Sequence, residues 1–242
     1  MIVGTLYGIG IGPGDPGLIT VKGASILADC RHVFVPRAPG NDKSLALSIA
    51  RQHIHPDSTI YSIEFPMSSD PARVRSHWDE LVIRIEAVLR DGHDVCYLTL
   101  GDTMLYSTYV NMLRALRRRA HDVHIVTIPG VSSFSAAAAL AETPLGEAKR
   151  PFVVMPTSGD LSTIEQAIEL GGTVVLMKIG NRLDEVIELL EGLERLDDAI
   201  LITRAGLEGE RIETDLKRLK NAPSEAGHMS IILVYSGLED NR

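Results

Sequence analysis

The stretch YGIGIGPGDPGLIT, residues 7–20, decides how the chain begins to fold. It contains five glycines and two prolines directly after an apolar segment. This order predicts a strand that ends in a tight turn leading into a helix. Such a corner needs one or two glycines, so the surplus predicts that a ligand or another backbone segment lies very close to the turn.

Part of this turn, Gly12–Gly17, matches the G-x-G-x-x-G pattern of dinucleotide-binding proteins. Pro13 and Pro16, however, remove two backbone N–H donors that would have to hold a pyrophosphate. The second predicted strand ends in Pro36 and Arg37, where that fold places an acidic residue on the ribose. Neither a Walker Gly-Lys-Ser/Thr sequence nor the acidic lead-in of Rossmann-like methyltransferases is present. We therefore exclude these three nucleotide-binding classes.

Composition limits the remaining classes. The chain has 242 residues, 45% of them hydrophobic, so we expect one large or two modest domains with ample cores. A net charge of -8 and a pI near 5.5 argue against a nucleic-acid-binding protein. No apolar stretch approaches the roughly 18 residues that a membrane span requires. We expect a cytosolic protein without a membrane segment.

Cysteine and histidine usage predicts neither a redox centre nor a metal site. Cys30 and Cys96 lie in or beside apolar segments without a CxxC spacing, which is typical of buried thiols in a reducing compartment. Histidine pairs such as His53 and His55 have no acidic or cysteine ligand at a suitable spacing. We expect no metal bound by the protein itself.

The periodicity of apolar residues predicts an α/β fold. Strands alternate with helices in the first half, which indicates a mostly parallel sheet with ligands at the carboxyl ends of its strands. The longest predicted helix has Asp70 as its cap, Pro71 at its first position and Gly92 at its end. The predicted strands are Val3–Gly8, His32–Pro36, Thr59–Ile63, Val95–Leu100 and Val123–Ile128.

A second domain is predicted after Pro129 and Gly130. We place the domains at residues 1–130 and 131–242, joined by an alanine-rich helix and loop at about 131–150. The expected second-domain strands are Pro151–Met155, Thr173–Ile179, Ala199–Thr203 and Ser230–Tyr235, and the expected helices are Leu161–Leu170, Leu183–Leu193 and Thr214–Leu219.

Two further turns follow predicted strands at the ligand-binding edge. In the first, Gly101 lets backbone approach a ligand, while Asp102 offers a carboxylate, an Asx turn or a helix cap. In the second, Ser132 and Ser133 provide hydroxyls and backbone N–H groups at a helix start. Neither turn alone identifies a function.

Together the three turns, GIGPGDPGLIT, GDTMLYS and PGVSS, resemble in order and spacing the motifs of the tetrapyrrole methylase family. These are class III S-adenosylmethionine-dependent methyltransferases. The resemblance implies two α/β domains with S-adenosylmethionine folded in the cleft between them, and a homodimer. The residues flanking the last two motifs look most like members that methylate C20 of precorrin-2 or of cobalt-factor II in the synthesis of the corrin ring of cobalamin.

The resemblance also assigns residues. Since a tetrapyrrole carbon can attack the donor methyl directly, we expect catalysis by alignment and water exclusion, without a catalytic triad. Relatives that act on uroporphyrinogen have an aspartate after the second strand, which is absent here at Pro36 and Arg37. Asp15 and Asp102 are the candidates for a base. The positions that match the cofactor motifs are Pro13, Gly101, Asp102, Thr103, Leu105, Tyr106, Ser132, Ser133, Met177 and Ala205.

A tetrapyrrole carries many carboxylates, so we expect basic residues near its site, although each of them alone also fits a solvated surface charge. The alternatives are another methylase of this fold, acting on uroporphyrinogen, another corrin position or a macromolecule, and a non-catalytic tetrapyrrole-binding module. The candidate substrate-binding residues are Arg37, Lys43, Arg150, Lys178 and Arg204.

Overall fold

The computed structural model describes residues 2–40, 44–65 and 70–235. The chain divides into two units, with the boundary between Ser132 and Ser133. Each unit is built around its own five-stranded sheet. The α/β class predicted from the sequence is confirmed.

Every strand pairing described in the first unit is parallel, with the order β3-β2-β4-β1-β5. The strands are β1 Leu6–Gly10, β2 His32–Arg37, β3 Thr59–Glu64, β4 Val95–Thr99 and β5 Ile125–Ile128. The helices are α1 Val21–Asp29, α2 Leu45–Ala50, α3 Pro71–Arg90 and α4 Tyr109–Arg119, with short 3-10 helices at Pro16–Leu18 and Arg51–His53. The predicted parallel sheet is therefore confirmed, and its strand ends agree with the prediction to within three residues.

The long helix α3 forms as its sequence predicts. Asp70 Oδ1 accepts the backbone N–H of Ala72 at 2.9 Å, and Pro71 occupies the first helical position. Gly92 follows the helix with φ +87°, a conformation that costs a glycine little. The buried stripe of α3 packs into a core shared with the fully buried strand β4; its members are Trp78, Leu81, Val82, Ile85 and Leu89.

The second unit has a mixed sheet with the order β6-β7-β10-β8-β9. Among its described pairings, only β6 and β7 run in parallel, whereas β10 runs antiparallel to both of its neighbours. The elements are α5 Ser133–Leu140, β6 Phe152–Pro156, α6 Ser162–Glu169, β7 Thr173–Met177, α7 Leu183–Gly192, β8 Ala199–Thr203, β9 Arg211–Glu213 and β10 Ser230–Tyr235, with 3-10 helices at Gly180–Arg182, Leu216–Leu219 and Ser224–Gly227.

Two details of the second unit differ from the sequence prediction. The sequence does not predict the short edge strand β9, because three residues are too few to show a period of two. The helix expected over Thr214–Leu219 is only a 3-10 turn at Leu216–Leu219, which buries Leu216 alone. A segment with one buried residue gains too little from packing to extend a helix.

Cys30 and Cys96 are buried free thiols, as the sequence predicts. Among the residues that the structure describes, no helix is long and apolar enough to cross a bilayer. Within those same ranges, no group of three or more His, Cys, Asp or Glu side chains is arranged to hold a metal ion.

Candidate functional site

Three turns of the first unit meet at the carboxyl edge of its sheet, because β4, β1 and β5 are neighbours and run in parallel. The turns after β1 and β4 are joined by an isolated antiparallel bridge between Gly12 and Gly101. Gly101 N–H donates to the Gly12 carbonyl at 2.8 Å, and Gly12 N–H donates to the Gly101 carbonyl at 3.3 Å. Both residues have positive φ, +78° and +69°, which explains why glycine stands at each.

The β1 and β5 turns touch through two more glycines. A Cβ added to Gly10 would lie 2.5 Å from the Gly130 nitrogen, and one added to Gly130 would lie 2.2 Å from the Gly101 carbonyl oxygen. Farther back, a Cβ on Gly8 would lie 2.2 Å from the ring of Tyr109. The sequence predicts that a ligand or another backbone segment lies close to the glycine-rich turn, and the structure shows that backbone does.

Asp102 links two of these turns through its side chain. Its Oδ1 accepts the backbone N–H of Met104 at 2.8 Å, and its Oδ2 accepts the backbone N–H of Gly130 at 3.0 Å. Helix α4 begins only at Tyr109, so the reading of Asp102 as a helix cap is wrong and the Asx-turn reading is confirmed. The carboxylate holds the start of the β5 turn against the β4 turn.

The prolines and Asp15 shape the rest of the first turn. Pro13 is buried, and Pro16 begins a 3-10 helix in which no N–H donor is needed at that position. Asp15 Oδ1 accepts the backbone N–H of Gly17 at 2.7 Å while the side chain stays exposed. Thr20 then caps α1 by accepting the N–H of Gly23 at 3.1 Å.

The other first-unit residues that match the cofactor motifs differ in exposure. Thr103 is fully buried, and its hydroxyl donates to the Ile128 carbonyl at 3.4 Å, so this hydrogen bond joins the β4 turn to the last residue of β5. Leu105 and Ser132 are half-buried. Tyr106 has φ +49° and is 42% exposed.

Sequence reasoning missed two contributors to this edge. Met104 is 57% exposed beside Tyr106 and adds apolar surface next to the turns. Its position inside GDTMLYS gives no signal of exposure, since an isolated methionine fits a core equally well. The hydroxyl of buried Tyr109 lies 2.6 Å from Thr127 Oγ1, and burial raises the pKa of Tyr109.

Two of the predicted basic residues belong to the first unit. Arg37 ends β2 and forms an ion pair with Glu64 at the end of β3. Because β2 and β3 run in parallel, Arg37 and Glu64 both lie at the carboxyl edge of the sheet. The Glu64 carboxylate balances part of the positive charge of Arg37. Lys43 lies outside the described residues.

In the second unit, the structure brings together the chain segments that follow β7 and β8. Met177 ends β7 and Lys178 follows it, whereas Arg204 and the buried Ala205 follow β8. Because β10 runs antiparallel between these strands, both segments lie at the same edge of the sheet. Lys178 and Arg204 are exposed and have positive φ, +57° and +55°, a conformation that is uncommon outside glycine.

Arg150 lies at the other edge of that sheet. It precedes β6, where the N–H of Thr173 donates to the Pro151 carbonyl, and it lies near Tyr235. The Tyr235 hydroxyl donates to Glu147, and this hydrogen bond raises the pKa of the tyrosine. The structure therefore does not bring Arg150 together with Lys178 and Arg204. Ser133 begins α5.

The carboxyl edge of the first sheet leaves room for a ligand. Gly101 is buried and has positive φ, and a Cβ placed there would meet no atom within 4 Å, so there is free space directly beside its Cα. Glycines and short polar side chains leave room for a flat or extended molecule, and Met104 and Tyr106 supply apolar contact. The described side chains at these turns form no Ser-His-Asp or Cys-His arrangement.

Comparison with known proteins gives consistent results. The family profile of the Tetrapyrrole (Corrin/Porphyrin) Methylases matches residues 5–220. The chain is 33% identical over 231 residues to the cobalt-precorrin-2 C(20)-methyltransferase of Salmonella typhimurium, covering 96% of each chain. It is 26% identical over 245 residues to the precorrin-2 C(20)-methyltransferase of a Sinorhizobium species, covering 96% of this chain and 95% of that one.

Solved structures show the same fold. The uroporphyrin-III C-methyltransferase of Thermus thermophilus, solved in complex with S-adenosylhomocysteine, matches with a TM-score of 0.67 and 19% sequence identity. The match covers 96% of this chain and 97% of that one, so it includes both sheets.

Proposed function

Since the chain belongs to the tetrapyrrole (corrin/porphyrin) methylase family, we propose that it transfers a methyl group from S-adenosylmethionine to C20 of the precorrin-2 macrocycle in cobalamin biosynthesis. The observation that carries this proposal is the 33% identity to a cobalt-precorrin-2 C(20)-methyltransferase over 96% of both chains. Similarity of this extent includes the three turns as well as both sheets.

The cobalt-loaded macrocycle is the proposed substrate. Identity to the relative named for cobalt-precorrin-2 is 33%, against 26% for the relative named for metal-free precorrin-2, at equal coverage of this chain. The cobalt arrives inside the substrate, so the protein needs no metal ligands of its own.

The residues present fit the methyl donor. The space beside Gly101 leaves room for part of a ligand, and the exposed Met104 and Tyr106 provide apolar contact for an adenosyl group or a macrocycle. When bound, S-adenosylmethionine supplies an electrophilic methyl group on a sulfonium, which an electron-rich ring carbon can attack directly. The role of Met177 and Ala205 in holding this donor stays a prediction.

The chain's own contribution is alignment and proton removal. Methylation at C20 would form a bond between C20 and the methyl carbon and break the sulfur–methyl bond of the donor. The electron pair of the broken bond stays on sulfur, and the C20 proton is released. We assign that proton to Asp15 Oδ2, because Oδ1 accepts the Gly17 N–H and the side chain is exposed. The packed turns hold the donor in line with the reacting carbon.

The basic residues at the carboxyl ends of strands in each sheet are the proposed contacts for substrate carboxylates. Lys178 and Arg204 directly follow β7 and β8 at the carboxyl ends of these strands in the second sheet, whereas Arg37 ends β2 in the first sheet. A substrate role for Lys43 and Arg150 remains a prediction from the sequence. We also propose that the protein is a cytosolic homodimer, which light scattering on the purified protein would test.

The function is tested by incubating the purified protein with S-adenosylmethionine and, separately, cobalt-precorrin-2, precorrin-2 and uroporphyrinogen III. We expect turnover with the first two, a higher kcat/KM for the cobalt form, and no turnover with uroporphyrinogen III. Faster methylation of uroporphyrinogen would favour the alternative methylase. Calorimetry with S-adenosylhomocysteine separates a methylase from a non-catalytic tetrapyrrole-binding module, which would bind the macrocycle alone.

A further inference from the structure

We propose that Asp102 is a positioning residue and not a base: its carboxylate holds the β4 and β5 turns in the single arrangement that receives the methyl donor. This inference rests on the proposed function. It concerns a residue for which the sequence left a catalytic role open.

The two carboxylate oxygens of Asp102 serve different turns. Oδ1 accepts the Met104 N–H at 2.8 Å inside the β4 turn, and Oδ2 accepts the Gly130 N–H at 3.0 Å from the β5 turn. Hydrogen bonds from backbone N–H groups to a carboxylate are charge-assisted and stronger than those between neutral groups. A proton taken up by Asp102 would remove the charge that strengthens both bonds, so acting as a base would loosen the turns during the reaction.

The backbone around the hydrogen bond between Asp102 and Gly130 is closely packed. Gly130, whose N–H is held by Asp102, lies so close to Gly101 and Gly10 that a Cβ would approach the Gly101 oxygen to 2.2 Å and the Gly10 carbonyl carbon to 2.8 Å. Gly101 is in turn bonded to Gly12 in both directions. The Asp102 carboxylate therefore takes part in a set of contacts that connects all three turns.

Loss of the Asp102 carboxylate would release residues that lie next to the predicted cofactor-binding positions. Met104 immediately precedes Leu105, and Gly130 lies two positions before Ser132. Without the carboxylate, the ends of the two turns would no longer be held together, and the donor would have to order them on binding. That ordering lowers affinity for the donor.

The test compares Asp102→Ala and Asp102→Asn with the matched control Asp94→Ala. Asp94 precedes β4 at the opposite edge of the same sheet, where its Oδ1 accepts the Thr5 N–H at 2.7 Å. Both aspartates thus link the β4 chain to a distant segment through a backbone N–H, but only Asp102 does so at the carboxyl edge. We measure Tm, the Kd of S-adenosylhomocysteine by calorimetry, and kcat/KM against pH.

We expect Asp102→Ala to raise the Kd of S-adenosylhomocysteine by about tenfold or more, the equivalent of losing charge-assisted hydrogen bonds. Asp102→Asn keeps one acceptor and should fall between Asp102→Ala and the wild type. The shape of the pH profile should be retained in both variants. Asp94→Ala should lower Tm while leaving the Kd and the KM for the donor unchanged.

Two outcomes would overturn the inference alone. The first is an unchanged Kd together with a kcat about 100-fold lower and the loss of one limb of the pH profile, which identifies a base. The second is an equal fall in Tm for Asp102→Ala and Asp94→Ala with no change in Kd, which identifies a purely structural link. Wild-type protein that does not bind S-adenosylhomocysteine would overturn the proposed function as well.

Discussion

Gly10 and Gly130 show what single residues do at the meeting point of the three turns. In Gly10→Ala the new methyl would lie 2.5 Å from the Gly130 nitrogen, where only a backbone shift can make room. We expect this variant to lose about 1 to 3 kcal/mol of stability, the usual cost of overpacking, and to bind S-adenosylhomocysteine more weakly. Urea unfolding and calorimetry measure the two effects.

Gly192→Ala is the matched control for this substitution. Gly192 ends α7, and a Cβ there would meet no atom within 4 Å. Its stability should equal that of the wild type or exceed it by up to about 1 kcal/mol, because alanine favours a helix over glycine, and its affinity for S-adenosylhomocysteine should be unchanged. A Gly10→Ala variant that behaves like this control would contradict the packing described for the turns.

Asp15 tests the assignment of the base. In Asp15→Asn the amide oxygen can still accept the Gly17 N–H, so the turn should keep its conformation. We expect kcat to fall about 100-fold or more while the Kd of S-adenosylhomocysteine and Tm stay at wild-type values. An unchanged kcat would remove Asp15 from the mechanism.

At the residue scale the sequence predicts the kind of site better than its contacts. The glycine surplus correctly indicates a close backbone approach at Gly10, but its partner Gly130 lies too far along the chain for any local pattern to identify. The same holds for Asp102, whose Asx turn to Met104 is local, whereas its bond to Gly130 depends on the strand order β4-β1-β5.

At the element scale, β4 and α4 place two tyrosines in one core. Tyr97 and Tyr109 are fully buried with ring centroids 5.9 Å apart, and burial raises the pKa of both. Below about pH 10 both are protonated in the folded and the unfolded chain. Above it the unfolded chain loses its protons first, so the free energy of unfolding should fall as the pH rises.

Tyr97→Phe tests this alkaline instability. The variant removes one of the two raised pKa values, so its free energy of unfolding should fall less steeply between about pH 10 and pH 12 than that of the wild type. Urea titrations at several pH values measure the slope. Equal slopes for the two proteins would show that Tyr97 does not contribute.

Elements with strong local signals are predicted well, and those set by tertiary contacts are not. The beginning and end of α3 follow from Asp70, Pro71 and Gly92, each of which satisfies a backbone requirement of the helix itself. The strand β9 and the 3-10 turn at Leu216–Leu219 have no such signal, because their conformation depends on pairing with β8 and on one buried leucine.

At the scale of the whole molecule, the order and spacing of the three glycine-containing motifs along the chain are enough to indicate the fold class and the family. The sequence does not indicate the direction of the strands in the second sheet in the same way. Buried strands such as β7 and β10 read as continuous apolar runs in parallel and antiparallel pairs alike, so the antiparallel pairing of β10 could not be predicted.

The position of the transferred methyl group tests the central claim most directly. Purified protein is incubated with carbon-13 methyl-labelled S-adenosylmethionine and cobalt-precorrin-2, and the product is examined by NMR after removal of the protein. We predict a single labelled methyl group on C20. Label on any other ring carbon, or none in the macrocycle although S-adenosylhomocysteine binds, would contradict the account.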